Sequence, residues 1–349
     1  LFEPADSQEA YDMVCAGFEL SEKYQVPVIV RTTTRTAHTS TVVDIGSGER
    51  SETPVIPYVK NAQRNVAVPA HGRLMRFAVE KRSQALRALT EESPFNRADS
   101  GTGDIGFVAS GVAYQYVKEV FPTAPVFKVG LSYPPPLEKI RAFAAGVQRL
   151  VVIEESDPVL AEQIRAAGIP VVEPKTELHM MELDPVRLGA LRAELLGTPP
   201  PPTAQPETGL PVRPPVLCSG CSHRGAFHIL AKLKATVCGD IGCYTLGSAP
   251  PLSAMDTCVC MGAAIGTAIG MRKAGLPNQR IAAVMGDSTF FHSGMTGLLD
   301  VAYNNIPITV MVFDNRITAM TGHQENPGSG HKLLGVESPA VNIADIART

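Results

Sequence analysis

No apolar run in this chain of 349 residues approaches the roughly 20 that a membrane-spanning helix needs. The most apolar stretches, Ile281 to Met285 and Ile306 to Phe313, are short and rich in β-formers, and they read as buried strands. No membrane contact is expected. No sign of charge dominates either: the formal net charge is −3, the Lys and Arg residues are scattered, and no basic block has the density of a nucleic-acid footprint. No secretory leader is expected. The chain starts at Leu1 in a helical pattern and stops at Ala347-Arg348-Thr349 without a terminating signal, so an internal piece of a longer, cytoplasmic polypeptide is expected. Cysteine is sparse, with seven residues, which excludes a dense disulfide framework. There is no internal repeat of solenoid period.

What is present is an ordinary globular composition, 44% hydrophobic and 19% charged, in a length that suits two or three domains. Residues Ser7 to Tyr24 place Ala10, Val14, Phe18 and Leu20 at helical spacing, with Asp6 or Ser7 as N-cap. Pro27 to Arg31 reads as a short buried strand, Gly46 to Asn61 as loop, and His71 to Glu91 as a charged amphipathic helix. From Gly103 a regular alternation begins. Strands are expected at Ile105–Ala109, Val126–Val129, Leu150–Glu154 and Val171–Val172, with helices at Gly111–Val120, Leu137–Gly146 and Pro158–Ala167 between them. That alternation predicts an α/β fold: parallel-sheet, three-layer domains with helices on both faces. Leu196 to Pro215 is crowded with Pro and reads as a linker.

The segment Met285 to Asn315 carries the clearest chemistry. A strand, Arg280 to Met285, runs into Gly286-Asp287-Ser288. A helix is expected at Phe291–Tyr303, with Met295, Leu298, Leu299 and Ala302 facing the core. A second strand, Pro307 to Phe313, ends at Asp314-Asn315. One βαβ unit therefore places polar residues at the C-terminal ends of two strands, where ligands of open α/β sheets bind. Gly286 permits close approach of the backbone, and a helix N-terminus offers free N–H groups to a diphosphate. Asp287, Asn315 and the backbone carbonyl of Ile317 supply the oxygen ligands that magnesium prefers. The simpler alternative is a turn and an N-cap Asp in a generic nucleotide-fold unit.

Gly286-Asp287-Ser288 followed by Asn315, 28 residues after the Asp, resembles the thiamine diphosphate (ThDP) motif, with Ser288 in place of the usual last Gly. Asn315 to Gln324, with its Met320-Thr321-Gly322 core, resembles the ThDP subunits of the 2-oxoacid:ferredoxin oxidoreductases. So do Cys218 to Gly225, Gly239 to Tyr244 and Cys260 to Ala264. Glu3 to Ala10, Arg31 to Arg35, Asp104 onward and Glu154-Glu155 extend the resemblance, in its arylpyruvate-oxidising branch, over essentially the whole chain. The resemblance implies the end of a pyrimidine-binding ThDP domain at 1–45 and a connecting segment at 46–100. It implies a transketolase-C-like domain at 101–197, a Pro-rich linker at 198–217 and a diphosphate-binding ThDP domain at 218–349. It implies oxidative decarboxylation of an arylpyruvate such as indolepyruvate to an acyl-CoA, with electrons passed to ferredoxin through [4Fe-4S] clusters. The implied partners are a beta subunit, ferredoxin and coenzyme A. It further implies an activating Glu upstream of Leu1. A non-oxidative ThDP decarboxylase or transferase is the competing reading.

On that resemblance Gly286, Asp287, Ser288, His292, Asn315, Ile317, Thr318, Thr321, Gly322, Met261 and Gly262 are expected around the cofactor, with Asp287, Asn315 and Ile317 on magnesium. Cys218, Cys221 and Cys243 match three ligands of a cluster close to ThDP; from the residues alone a zinc site or a structural pair fits equally. Cys15, Cys238 and Cys258 read as small core residues, and Cys260 as packing near the cofactor. His223 is a possible catalytic or substrate-binding group, or a structural imidazole. His292 faces phosphate or is a half-exposed first-turn residue. Arg31 and Arg35 reach a substrate carboxylate or form surface ion pairs. Glu154-Glu155 reads as a solvated loop.

Overall fold

The computed structural model describes residues 1–46, 57–200, 209–275 and 280–348. Part of the loop expected at 46–61, part of the linker expected at 198–217, and Thr349 lie outside the described residues. The chain divides into two compact units, Leu1–Pro206 and Glu207–Thr349.

In the first unit, strands β1 (Asn96–Asp99), β2 (Ile105–Ser110), β3 (Val126–Val129) and β4 (Arg149–Ile153) form a sheet of order β1-β3-β2-β4. β2 is parallel to β3 and β4, and β1 closes the edge antiparallel to β3. The period of two in β2 explains the three layers. Ile105, Phe107 and Ala109 face one core with the helices Ala113–Val120 and Pro185–Leu196, while Val108 faces the other with the helices Leu137–Ala144 and Val159–Ala166.

The helix Ser7–Tyr24 has the expected bounds, and the Asp6 side chain accepts from Glu9 N. Its core stripe is Met13, Ala16, Gly17 and Leu20; Val14 and Phe18 are exposed, and so is Cys15, which is not a core thiol. Pro27 to Arg31 is not a buried strand: Val30 makes one isolated bridge to Phe2, and Ile29 is 62% exposed. Val171-Val172 is not a strand either; its contribution is one bond from Val172 N to Leu150 O. Glu154 is buried, not solvated. Its carboxylate accepts the N–H groups of Leu160 and Ala161, both at 2.8 Å, at the start of a helix. Burial pushes its carboxyl above the usual range.

In the second unit, β5 (Thr236–Gly239), β6 (Thr257–Cys258), β7 (Ile281–Gly286) and β8 (Thr309–Phe313) form an all-parallel sheet of order β6-β5-β7-β8. β7 is buried throughout: Ile281, Ala283 and Met285 enter one core, Ala282 and Val284 the other. The helical segment after β7 is not one α-helix. A turn at Asp287–Thr289 passes through a π-helical turn at Phe290–Gly294 into an α-helix at Met295–Tyr303. The extra residue of the π turn rotates the seam. Leu298 and Val301 pack on the core, and Met295, Leu299 and Ala302 are exposed instead of buried.

Candidate cofactor site

β7 and β8 run parallel with Gly286 opposite Phe313, so their C-terminal ends finish side by side. That register brings Asp287, just past β7, and Asn315, two residues past β8, to one sheet edge. A cavity of about 120 Å³ opens there, lined by Gly286, Asp287, Ser288, Asn315, Ile317, Thr318, Thr321 and Met261 among the anticipated cofactor residues, and by His223 and Cys243. Ile241, Gly242, Tyr244, Thr289, Phe313, Ala319 and Met320 complete the wall. Gly286 is needed because a Cβ there would stand 2.8 Å from Tyr244 Cε1.

Asp287 is 2% exposed. Its Oδ1 accepts from Ser288 N at 2.9 Å and its Oδ2 from Asn326 Nδ2 at 3.0 Å. Asn326 is buried and was not anticipated; the only local signal is the Asn326-Pro327-Gly328 turn, which says nothing of a partner 39 residues earlier. Asn315 is exposed at the cavity, its Oδ1 accepting from Ile317 N at 3.2 Å. The loop that follows is closed on itself: Thr318 and Gln324 exchange backbone bonds of 3.0 and 3.1 Å. Thr318 and Thr321 line the cavity, whereas Gly322 turns the loop at φ +117° and does not line it.

The opposite wall is aromatic. His223, Tyr244 and Phe313 stand with ring centroids 5.1 to 6.2 Å apart. Tyr244 Oη donates to Ile241 O at 2.6 Å and lies 3.0 Å from Thr289 Oγ1; burial pushes its phenol up to about 12. His223 is buried with Nδ1 unpartnered. Burial holds its imidazole below the ordinary value, against an opposing pull from the Asp287 carboxylate. The ring therefore stays neutral at neutral pH, with Nδ1 buried and without a protein partner.

Asp240 ties the floor together. Fully buried, it accepts from Gly262 N at 2.7 Å and Ala264 N at 3.3 Å, anchoring the start of the helix Ala263–Lys273. Gly262 sits at φ +92°, and a Cβ there would lie 2.0 Å from Ser293 Oγ. It shapes the turn that presents Met261 without itself lining the cavity.

Other expected residues fall elsewhere. His292 is exposed, contacts Ser293 Oγ at 3.1 Å and does not line the cavity, because the π turn swings it outward. Cys238 is buried, but Cys258 and Cys260 are exposed, and Cys260 does not reach the cavity. Among the described residues no three His, Cys, Asp or Glu side chains are gathered so as to hold a metal ion; Cys243 lines the cavity, and Cys218 and Cys221 do not. Magnesium is a different case, since its oxygen donors include an amide and a carbonyl. Asp287, Asn315 and Ile317 share one cavity, and that donor set fits. In the first unit, Arg31 pairs with the buried Glu3 at 3.4 Å, and Arg35 pairs with Glu182 at 3.2 Å on the surface. No helix among the described residues is long and apolar enough to cross a membrane.

Residues 240–349 match the family model of the thiamine pyrophosphate enzyme, C-terminal TPP binding domain. The chain is 36% identical over 371 residues to indolepyruvate oxidoreductase subunit IorA of Methanothermobacter thermautotrophicus, an alignment that covers 100% of this chain and 60% of that protein. It is 34% identical over 369 residues to the subunit of the same name from Archaeoglobus fulgidus, covering 99% and 58%. A solved 2-oxoglutarate:ferredoxin oxidoreductase from Magnetococcus marinus gives a partial likeness, with a TM-score of 0.34 and 20% identity over 47% of this chain and 36% of that one. The chain thus spans about three fifths of the length of the curated relatives it matches. With residues 240–349 matching a TPP binding domain, the chain is similar over nearly its whole length to the indolepyruvate oxidoreductase IorA subunits.

Proposed function

We propose that the cavity of the second unit holds the diphosphate end of ThDP with one magnesium ion. The protein would serve the cytoplasmic oxidative decarboxylation of an arylpyruvate, such as indolepyruvate, to its acyl-CoA, with two electrons passed to ferredoxin. The observation that carries this reading is the convergence of Asp287, Asn315 and Ile317 on one cavity at the sheet edge, within the segment that matches a TPP binding domain. When bound, ThDP supplies the nucleophilic carbon that lets a 2-oxoacid lose carbon dioxide. The chain's own residues do the rest. The Asp287 carboxylate, the Asn315 amide and the Ile317 carbonyl hold the cation that offsets diphosphate charge, and backbone N–H groups at the start of the 287–303 helical segment favour the same anion. Thr318 and Thr321 offer hydroxyls from the facing loop. Ile241, Met261 and Phe313 line the cavity with apolar surface. His223, neutral and with an unpartnered nitrogen, holds or moves a proton at Nδ1.

A beta subunit, ferredoxin and coenzyme A complete the reaction. The test is turnover by the protein with its partner subunit. Arylpyruvate should reduce a viologen dye only when coenzyme A is present, with acyl-CoA formed in step. Aldehyde formation without electron transfer would overturn the oxidative assignment.

A further inference from the structure

Asp287 Oδ2 has one protein partner, the Asn326 amide at 3.0 Å. The amide's orientation is fixed by chemistry. Asn326 Oδ1 accepts from Gly328 N at 2.9 Å, and a backbone N–H can only donate, so the end facing Asp287 must be the NH₂ donor. The asparagine is itself held: Ser329 donates to Asn326 O through Oγ at 2.8 Å and through N at 3.0 Å. Both residues are buried, Asn326 at 7% and Asp287 at 2% exposure, so water does not compete for this bond. Ser288 N takes a lone pair of Oδ1, leaving the carboxylate pinned at both oxygens in one rotation. Asn326 does not line the cavity.

We propose that Asn326 is a positioning residue: it acts through Asp287, fixing the carboxylate in the orientation that receives the divalent cation. The inference rests on the reading of Asp287 as the cation ligand. A residue that orients a ligand from behind typically changes metal affinity about ten- to hundredfold when removed.

The experiment is a titration of Mn²⁺ into the protein with ThDP, followed by electron paramagnetic resonance, on wild type, Asn326→Leu, Ser329→Ala and Asp287→Ala. Circular dichroism establishes that each variant is folded, and Asn326→Ala replaces Asn326→Leu if the latter does not fold. Asn326→Leu keeps the heavy-atom shape but cannot donate, and it should weaken Mn²⁺ binding about tenfold or more. Ser329→Ala removes the hydroxyl's bonds in the same turn but keeps the backbone bond from Ser329 N to Asn326 O and both bonds of the Asn326 side chain, so it should bind Mn²⁺ as wild type does. Wild-type affinity in Asn326→Leu, or equal weakening in Ser329→Ala, would overturn the positioning role. Unchanged affinity in Asp287→Ala would instead overturn the ligand reading on which it stands.

Discussion

At the scale of single residues, the site was legible where chemistry is carried by neighbours in sequence. Gly286, Asp287 and Ser288 stand together, and Asn315 follows at the distance one helix and one strand require. Asn326 and the aromatic wall of Tyr244 and Phe313 were not legible, because their roles are set by contacts between elements. His292 misled for a related reason: its direction depends on a single π turn that no composition rule announces. His223 offers a test at this scale. Burial holds its folded value below the ordinary one, so the unfolded chain takes up a proton first as pH falls. Its contribution to stability is therefore complete above about pH 6.5 and shrinks below it. Urea unfolding between pH 7 and 5 should show a shallower loss of stability in His223→Gln than in wild type; equal slopes would contradict a buried neutral imidazole.

At the scale of elements, the alternation from Gly103 gave β2, β3 and β4 and the helices between them almost to their bounds, since buried strands and amphipathic helices write their periods into sequence. β1 was missed because Asn96-Arg97-Ala98-Asp99 is polar; it is an edge strand whose place is set by pairing with β3 and by the buried Asn96 side chain, not by apolar burial. The helix Pro185–Leu196 was missed behind the turn residues that precede it. One pairing between elements has a measurable worth. Lys128 on β3 is fully buried and is ion-paired with Glu9 on the helix Ser7–Tyr24, above the Tyr114 ring. Burial lowers the lysine's proton affinity, while at Glu9 the raising effect of burial is outweighed by Lys128. Lys128→Ala leaves the Glu9 carboxylate, whose side chain is 13% exposed, with only Arg97 at 3.4 Å and the Ala5 N–H at 2.9 Å, and should cost about 3 kcal/mol in denaturant unfolding, the lower end for a broken buried pair. A loss under about 1 kcal/mol would show that water replaces the pair.

At the scale of the whole chain, the division between Pro206 and Glu207 falls inside the Pro-rich stretch that sequence marked as a linker. The β5–β8 sheet edge is where the family match and the cavity coincide, since the matched residues 240–349 include Asp287, Asn315 and Ile317. The most direct test of that coincidence is calorimetric titration of ThDP with Mg²⁺ into the protein and into its Asp287→Ala variant. The wild type should bind one ThDP per chain, and Asp287→Ala should show no measurable binding while remaining folded; equal affinity in the two proteins would contradict the assignment of this cavity.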